Sequence, residues 1–352
     1  MKQRNLVSYL EDFYPKKYAM DWDNVGLQIG DLSREIKNVA VSLDLTNLVV
    51  DKAIENNCNL IITHHPLIFN PLKNIDTHTP SGAVLEKLIK HDITVYSMHT
   101  NLDVSSNGVS DILAEKYLLQ NTKIIKQTGS EDLFKFIVYV PNDIYMNFRE
   151  NFLELKVGNI GLYSHCSFST SGEGTFKPLA GSNPHIGEMN TLEKVPEYKI
   201  ESIVKGEYLA DLINEVKRIH PYEEVAYDVI KLENKANNIG LGRYGIISPI
   251  LLKNFNHIIP GILKGNKDEN KLIKKVAVCG GNGSSLIRNV IDLKIDLFIS
   301  AEIGYHNELL AEEYGLSIFD IGHKESEEPI LYYLQRMILD KYMDEIEKVI
   351  VV

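Results

Sequence analysis

Apolar and polar residues alternate along this chain in blocks that read as an α/β protein. Short β-branched runs bounded by polar residues, Gly or Pro predict buried strands over 39–44, 59–63 and 93–98. Between them, apolar positions at helical spacing predict helices over 48–56 and 81–90, after an amphipathic opening helix that gives way at Tyr14-Pro15. The first two strands and their helix make a βαβ unit, and a helix near 108–116 closes this part. The segment from Asp21 to Gly30 reads as a loop, with Asp and Asn bonding nearby backbone.

From about residue 133 the pattern changes. A strand over 134–140, a short helix after 141–143, a Gly/Ser-rich stretch over 158–187, a strand over 198–204, an amphipathic helix over 207–220 and a strand over 225–230 follow in turn. That order predicts a small ferredoxin-like α+β unit inserted into a larger α/β domain. The boundaries read as 1–127 for the first half of the larger domain, 128–235 for the insert and 236–352 for the second half. The α/β pattern resumes at Gly240-Leu241-Gly242-Arg243-Tyr244-Gly245. Strands are expected over 275–279, 296–300 and 316–321, then a long final helix over 329–349.

Composition narrows the function classes. The 352 residues are 44% hydrophobic and 24% charged, as in an ordinary globular protein. A net charge of −11 argues against broad binding to nucleic-acid phosphates. Cys58, Cys166 and Cys279 form no CxxC, which suits a reducing compartment. The N-terminus lacks an apolar signal core, and no apolar run approaches the roughly 18 residues of a membrane span. The expected location is the cytoplasm, with no membrane or nucleic-acid partner.

Candidate chemistry gathers where strands end. His64-His65-Pro66 stops the second strand, His99-Thr100-Asn101-Leu102-Asp103 follows the third, and Gly322-His323-Lys324-Glu325-Ser326-Glu327 follows the last. Open α/β sheets place ligands beyond such strand ends. Adjacent strand residues face opposite ways, so a His pair is awkward for one ion, and a plain polar strand cap is the competing reading. If a helix starts after Gly322, His323 and Glu327 share one face at i and i+4. His64, His65, Asp103, His323 and Glu327 together exceed what one open site needs and better suit two ions. The turn Gly280-Gly281-Asn282-Gly283 has two open readings, a phosphate cradle or tight strand-to-helix packing.

The segments DWDNVGLQIG, ITHHPLIF, SMHTNLD, GLGRYG, the glycine turn after VAVCG, and FDIGHKESE resemble those of the GTP cyclohydrolase 1 type 2 homologs, also called NIF-three-like proteins. The resemblance implies a toroidal homohexamer, a trimer of dimers, with two divalent ions (Zn, Mn, Fe or Co) per subunit and a small-molecule substrate. Carried over motif by motif, it makes His64, His65, Asp103, His323 and Glu327 the metal ligands. Glu327 would bridge both ions, His65 and Asp103 would serve one, and His64 and His323 the other. His99 and His306 fall on motif positions near the metals and become candidates for proton transfer or substrate holding. Ser300-Ala301-Glu302 departs from a commoner Thr-Gly-Asp. The stretches GLYSHCSFSTSGEGTFKPLAGSNPHIGE and HPYEEVAYDVI are similar to a PII/CutA-like middle domain, in which His185 and His220 are structural. Two function classes follow: a metal-dependent hydrolase, for which the family name implies GTP cyclohydrolase chemistry, and a non-catalytic metal-binding or ligand-sensing scaffold.

Overall fold

Helix α1 (Gln3–Phe13) buries Leu6, Val7 and Leu10 along one face. The next strand is one that the pattern concealed. β1 (Gly26–Ile29) lies inside the segment expected to be a loop and pairs antiparallel with β4 (Thr94–Ser97). Between these come β2 (Asn38–Ser42), α2 (Asn47–Glu55), β3 (Cys58–Thr63) and α3 (Pro80–Lys90). The Thr46 and Thr79 side chains cap α2 and α3 by accepting from Val49 and Gly82, and Pro80 sits where a helix needs no amide proton. α4 (Thr100–Val104) and α5 (Val109–Lys116) follow β4.

The rest of the chain comprises β5 (Gln120–Pro141), α6 (Tyr145–Leu153), β6 (Ser167–Phe176), β7 (Glu193–Lys205), α7 (Leu209–Ile219), β8 (Tyr227–Leu251), α8 (Leu252–Phe255), β9 (Ile262–Gly265), β10 (Leu272–Asn282), α9 (Ile287–Asp292), β11 (Leu297–Ala301), α10 (Tyr305–Glu313), β12 (Ser317–Asp320), α11 (His323–Glu327), α12 (Pro329–Tyr342) and β13 (Val349–Val351). This computed structural model describes residues 1–255 and 257–352. The chain divides into two units, Met1–Gly129 with Ile239–Val352, and Ser130–Asn238.

The first unit is a mixed α/β fold with two sheets. One runs β1-β4-β3-β2-β13, in which β13, β2, β3 and β4 are mutually parallel and β1 is antiparallel at the edge. Leu60, Ile61 and Ile62 in β3 are wholly buried, which at about 1.5–3 kcal/mol each makes this strand a main source of stability. In the other sheet, β10, β11 and β12 are parallel, with β8 and β9 antiparallel on the two flanks. The carboxyl ends of β3, β4 and β12 carry His64, His99 and His323. In the second unit, β7 pairs antiparallel with β6 and with β5, giving the strand order β6-β7-β5-β8.

The final helix expected to run to 349 stops at Tyr342. The β-branched run after Glu347 prefers strand geometry and adds as β13 to the open edge of β2, where its amides find partners. β5 and β8 greatly exceed their expected lengths because their polar, half-exposed segments hide the two-residue period. No described helix is long and apolar enough to cross a membrane.

The GLGRYG segment lies within β8, and its arginine joins that strand to α5. Arg243 is 4% exposed. Its guanidinium donates to both carboxylate oxygens of Asp111 (2.6 and 2.9 Å) and to the carbonyls of Gly240, Gly242 and Ser105 (2.8, 3.0 and 3.1 Å). Removing one member of a buried pair strands the other charge. Asp111→Asn is therefore expected to cost on the order of 3 kcal/mol in urea unfolding. An unchanged midpoint would show that solvent reaches Arg243 and that the pair holds nothing together.

Candidate metal centre

Glu327 lies on the short helix α11, at i+4 from His323, with its side chain 4% exposed. Its Oε1 lies 3.1 Å from His323 Nε2 and 3.7 Å from His64 Nε2, and its Oε2 lies 3.3 Å from His65 Nε2. Asp103, on α4, brings Oδ1 to 3.6 Å from His64 Nε2. The three strand ends thus converge in one cavity of about 480 Å³.

Each ring is held from behind through Nδ1. His64 Nδ1 lies 2.9 Å from the Met98 carbonyl, which fixes Nδ1 as the donor and leaves Nε2 facing the cavity when the ring is neutral. His65 Nδ1 pairs with Asp44 at 2.9 Å, His323 Nδ1 with Glu302 at 3.0 Å, and His99 Nδ1 with Asp23 at 2.8 Å. Such partners orient a ring and make its free nitrogen a better base. The supporting carboxylates had a weak sequence signal: Asp44 lies two residues past β2 and Glu302 follows β11, each just beyond a strand's carboxyl end. Glu302 also holds a positive φ of 55°, a strained backbone placement that aims its side chain at His323.

The glycine turn after β10 serves close approach. Gly281 has φ +60°, and a Cβ there would stand 2.4 Å from Glu327 Oε1 and 3.3 Å from His323 Nε2. Its amide donates to Ser326 Oγ at 2.8 Å. These contacts favour the packing reading over a phosphate cradle. Trp22 and Phe69 stand at the cavity mouth with ring centroids 5.9 Å apart.

His306 does not join the cluster. It lies exposed in the first turn of α10, beside Tyr305. His99 does join it: its ring lies 5.2 Å from that of His64 and 5.5 Å from that of His65, and the three can bring one nitrogen each within a common 4.8 Å. His65, His323 and Glu327 form a second such group.

The electrostatics call for positive charge. Burial opposes ionisation of Glu327, but interactions with His323, His64 and His65 override it and hold the carboxyl far below its usual range. Burial disfavours the His65 imidazolium, yet the neighbouring Asp44 and Glu327 carboxylates raise that ring to about 10. His323 rises to about 9, chiefly through Glu327. Burial, with Glu327 adding, raises Asp103. His64 Nε2 and Glu327 Oε2 are both buried and neither makes a well-formed hydrogen bond, their near contacts being Asp103 at 3.6 Å and His65 at 3.3 Å. Orphaned buried groups of this kind need an occupant. Imidazole nitrogens and carboxylate oxygens at these separations fit a divalent cation.

The fold and this cluster define an α/β protein with a candidate divalent-metal centre. The chain belongs to the DUF34/NIF3 family, described as NGG1p interacting factor 3, whose model matches residues 1–352. It is 41% identical to a Bacillus subtilis protein named GTP cyclohydrolase 1 type 2 homolog, over 91% of this chain and 87% of that one. A Listeria monocytogenes protein of the same name is 42% identical, over 92% and 89%. The crystal structure of a Bacillus cereus protein related to NIF3 superposes with a TM-score of 0.92 at 37% identity, covering 100% of this chain and 96% of that one.

Two outcomes are expected. His64→Ala with Glu327→Ala should lose most of the transition metal that purified wild-type protein carries, by elemental analysis; unchanged content would sink the assignment. Metal loading should also expel protons. In the metal-free site His65 and His323, raised to about 10 and 9, are protonated at neutral pH, and only the neutral rings bind metal. Apparent affinity for Mn²⁺ or Zn²⁺ should therefore rise from pH 6 toward pH 9 by roughly tenfold or more per unit. Calorimetry in buffers of different ionisation enthalpy would read the release, and a pH-independent affinity would contradict it.

Proposed function

We propose that this chain is a divalent-metal hydrolase acting on a GTP-like nucleotide or a related small molecule. In this reading His64, His65, Asp103, His323 and Glu327 hold two ions, with Glu327 bridging. The observation that carries it is the convergence of the His64, His65 and His323 Nε2 atoms on the two oxygens of the buried Glu327 carboxylate, with His64 Nε2 left without a hydrogen bond. Orientation supports a bridging role, because Oε1 faces His64 and His323 while Oε2 faces His65. A bound pair of such ions lowers the pKa of water and polarises a substrate oxygen or carbon toward attack. The substrate class follows the name borne by the relatives.

The side chains divide the remaining work. Asp23 accepts from His99 Nδ1 and from the Thr100 amide (3.0 Å), so His99 keeps Nε2 free beside the cluster. Burial opposes Asp23 ionisation, but the bonds from His99 and Thr100 hold it near 2, so it stays an acceptor throughout the working pH range. Held this way, His99 presents Nε2 for taking up a proton and passing it to a leaving group. Trp22 and Phe69 offer flat apolar surface for a planar ring at the mouth.

The insert over 128–235 is proposed as a ferredoxin-like unit of the PII/CutA kind. Its element order β5-α6-β6-β7-α7-β8 and strand order β6-β7-β5-β8 support that reading.

The test is a screen of metal-replete protein against GTP and generic phosphoesters, with Asp103→Ala as the blank. Turnover is expected in wild type and absent from the blank; activity surviving in the blank would be a contaminant's. His99→Gln should lower the rate by about 10²–10⁴ while leaving metal content unchanged. A metal-loaded wild type inert toward every substrate would instead support the scaffold reading.

A further inference from the structure

The second unit holds a half-open cavity of about 490 Å³, lined entirely by its own residues. Its walls come from the end of β6, the segment after it, Glu197 of β7 and the turn before β8. Tyr222 is the centre, with the rings of Phe176 and His185 at 6.0 and 6.1 Å from it.

This aromatic wall is built in advance. The Tyr222 amide donates to His220 Nδ1 at 3.1 Å, which places the imidazole proton on Nε2, and Nε2 donates to the Tyr139 carbonyl at 3.0 Å. Burial holds His220 below its ordinary value, so it remains a neutral brace, and its ring meets Tyr222 edge-on at 5.0 Å. The opposite wall is braced by itself. Asn190 donates to the Pro178 carbonyl (2.8 Å), and the Ser182 amide and hydroxyl donate to that of Leu179 (3.1 and 2.8 Å).

The cavity's charge is lopsided. Glu197, Glu223 and Glu224 line it against a single lysine, Lys177. Glu223 accepts from the Asn183 amide at 2.8 Å and so helps to hold the loop. Glu197 is half-buried, and its hydrogen bond comes from the Tyr222 hydroxyl at 3.4 Å. No ion pair holds it among the described residues, and burial raises its carboxyl. A neutral apolar occupant would bury this carboxylate unpaired, and an anion would be repelled by it. A cation among aromatic faces meets both the ring quadrupoles and the carboxylate.

We infer that this cavity binds a small organic cation, an ammonium or guanidinium group on an apolar or aromatic body. Glu197 pairs the charge, while Tyr222, Phe176 and His185 enclose the body. The site is independent of the metal centre and of the chemistry proposed there.

Calorimetry on the full-length, metal-loaded protein tests it with three probes of one shape: phenethylammonium, 2-phenylethanol and phenylacetate. Phenethylammonium should bind with a Kd of about 1 mM or tighter. The alcohol should bind at least about tenfold more weakly, and phenylacetate not measurably. Glu197→Gln should weaken the cation about tenfold while leaving the alcohol unchanged. Tyr222→Phe keeps the ring and should keep most of the affinity, whereas Tyr222→Ala should lose it. Equal binding of the three probes, no phenethylammonium binding up to about 10 mM, or full retention in Glu197→Gln would each overturn the site. If Glu197→Gln melts far below wild type, the ranking of the three probes on wild type decides.

Discussion

The Glu327 carboxylate sits buried among imidazoles from separate elements, and most of the first unit can be understood as what keeps it there. A buried anion is tolerable only while positive charge and hydrogen-bond donors surround it. His64, His65 and His323 supply these, and each is pinned by a partner on its far side, the Met98 carbonyl, Asp44 and Glu302. The bare glycine at 281 lets the backbone pass close beside Glu327, where any side chain would collide with it. The cluster is therefore fixed in advance, and a divalent cation that entered it would take over from the ring protons the positive charge that Glu327 demands.

That arrangement needs two sheets to meet at their carboxyl ends. β3 and β4 bring His64, His65 and His99 from one sheet, while β10 and β12 bring the glycine turn and α11 from the other. Arg243 locks β8 of the second sheet to α5, which follows the Asp103 helix. A change at that buried pair would reach the cluster through backbone position, without touching a donor atom.

Much of this was legible in the sequence because the signals are local. The strands that lead to His64 and His99 are rich in β-branched residues, almost wholly buried and sharply terminated, and the i, i+4 relation of His323 and Glu327 follows from a helix start after Gly322. Other parts depend on distant partners. β1 is only Gly26–Ile29 and gains its identity from β4, and β13 forms because β2 leaves an edge open. The long polar reaches of β5 and β8 carry little two-residue period, so pairing rather than pattern makes them strands. The carboxylates behind the rings were visible as residues, but their tasks depend on contacts across 21 positions for Asp44 and His65 and 76 for Asp23 and His99. His306 shares a motif-like setting yet lies exposed in the first turn of α10, outside the grouped side chains.

One consequence concerns the place where the chain leaves the first unit and comes back. Thr128 bonds to the Ile239 carbonyl at 3.3 Å, and Gly129 packs beside the Ile239 side chain. The outgoing and returning strands run antiparallel there, with Gly240 against Lys126 and Gln127 and Gly245 against Gln120. A detour of more than a hundred residues thus begins and ends at neighbouring positions, a gap that a two-residue hairpin could close. The unit that carries the candidate metal centre is topologically whole without residues 130–238, and a short turn could replace them with the cluster's own wiring left uncut.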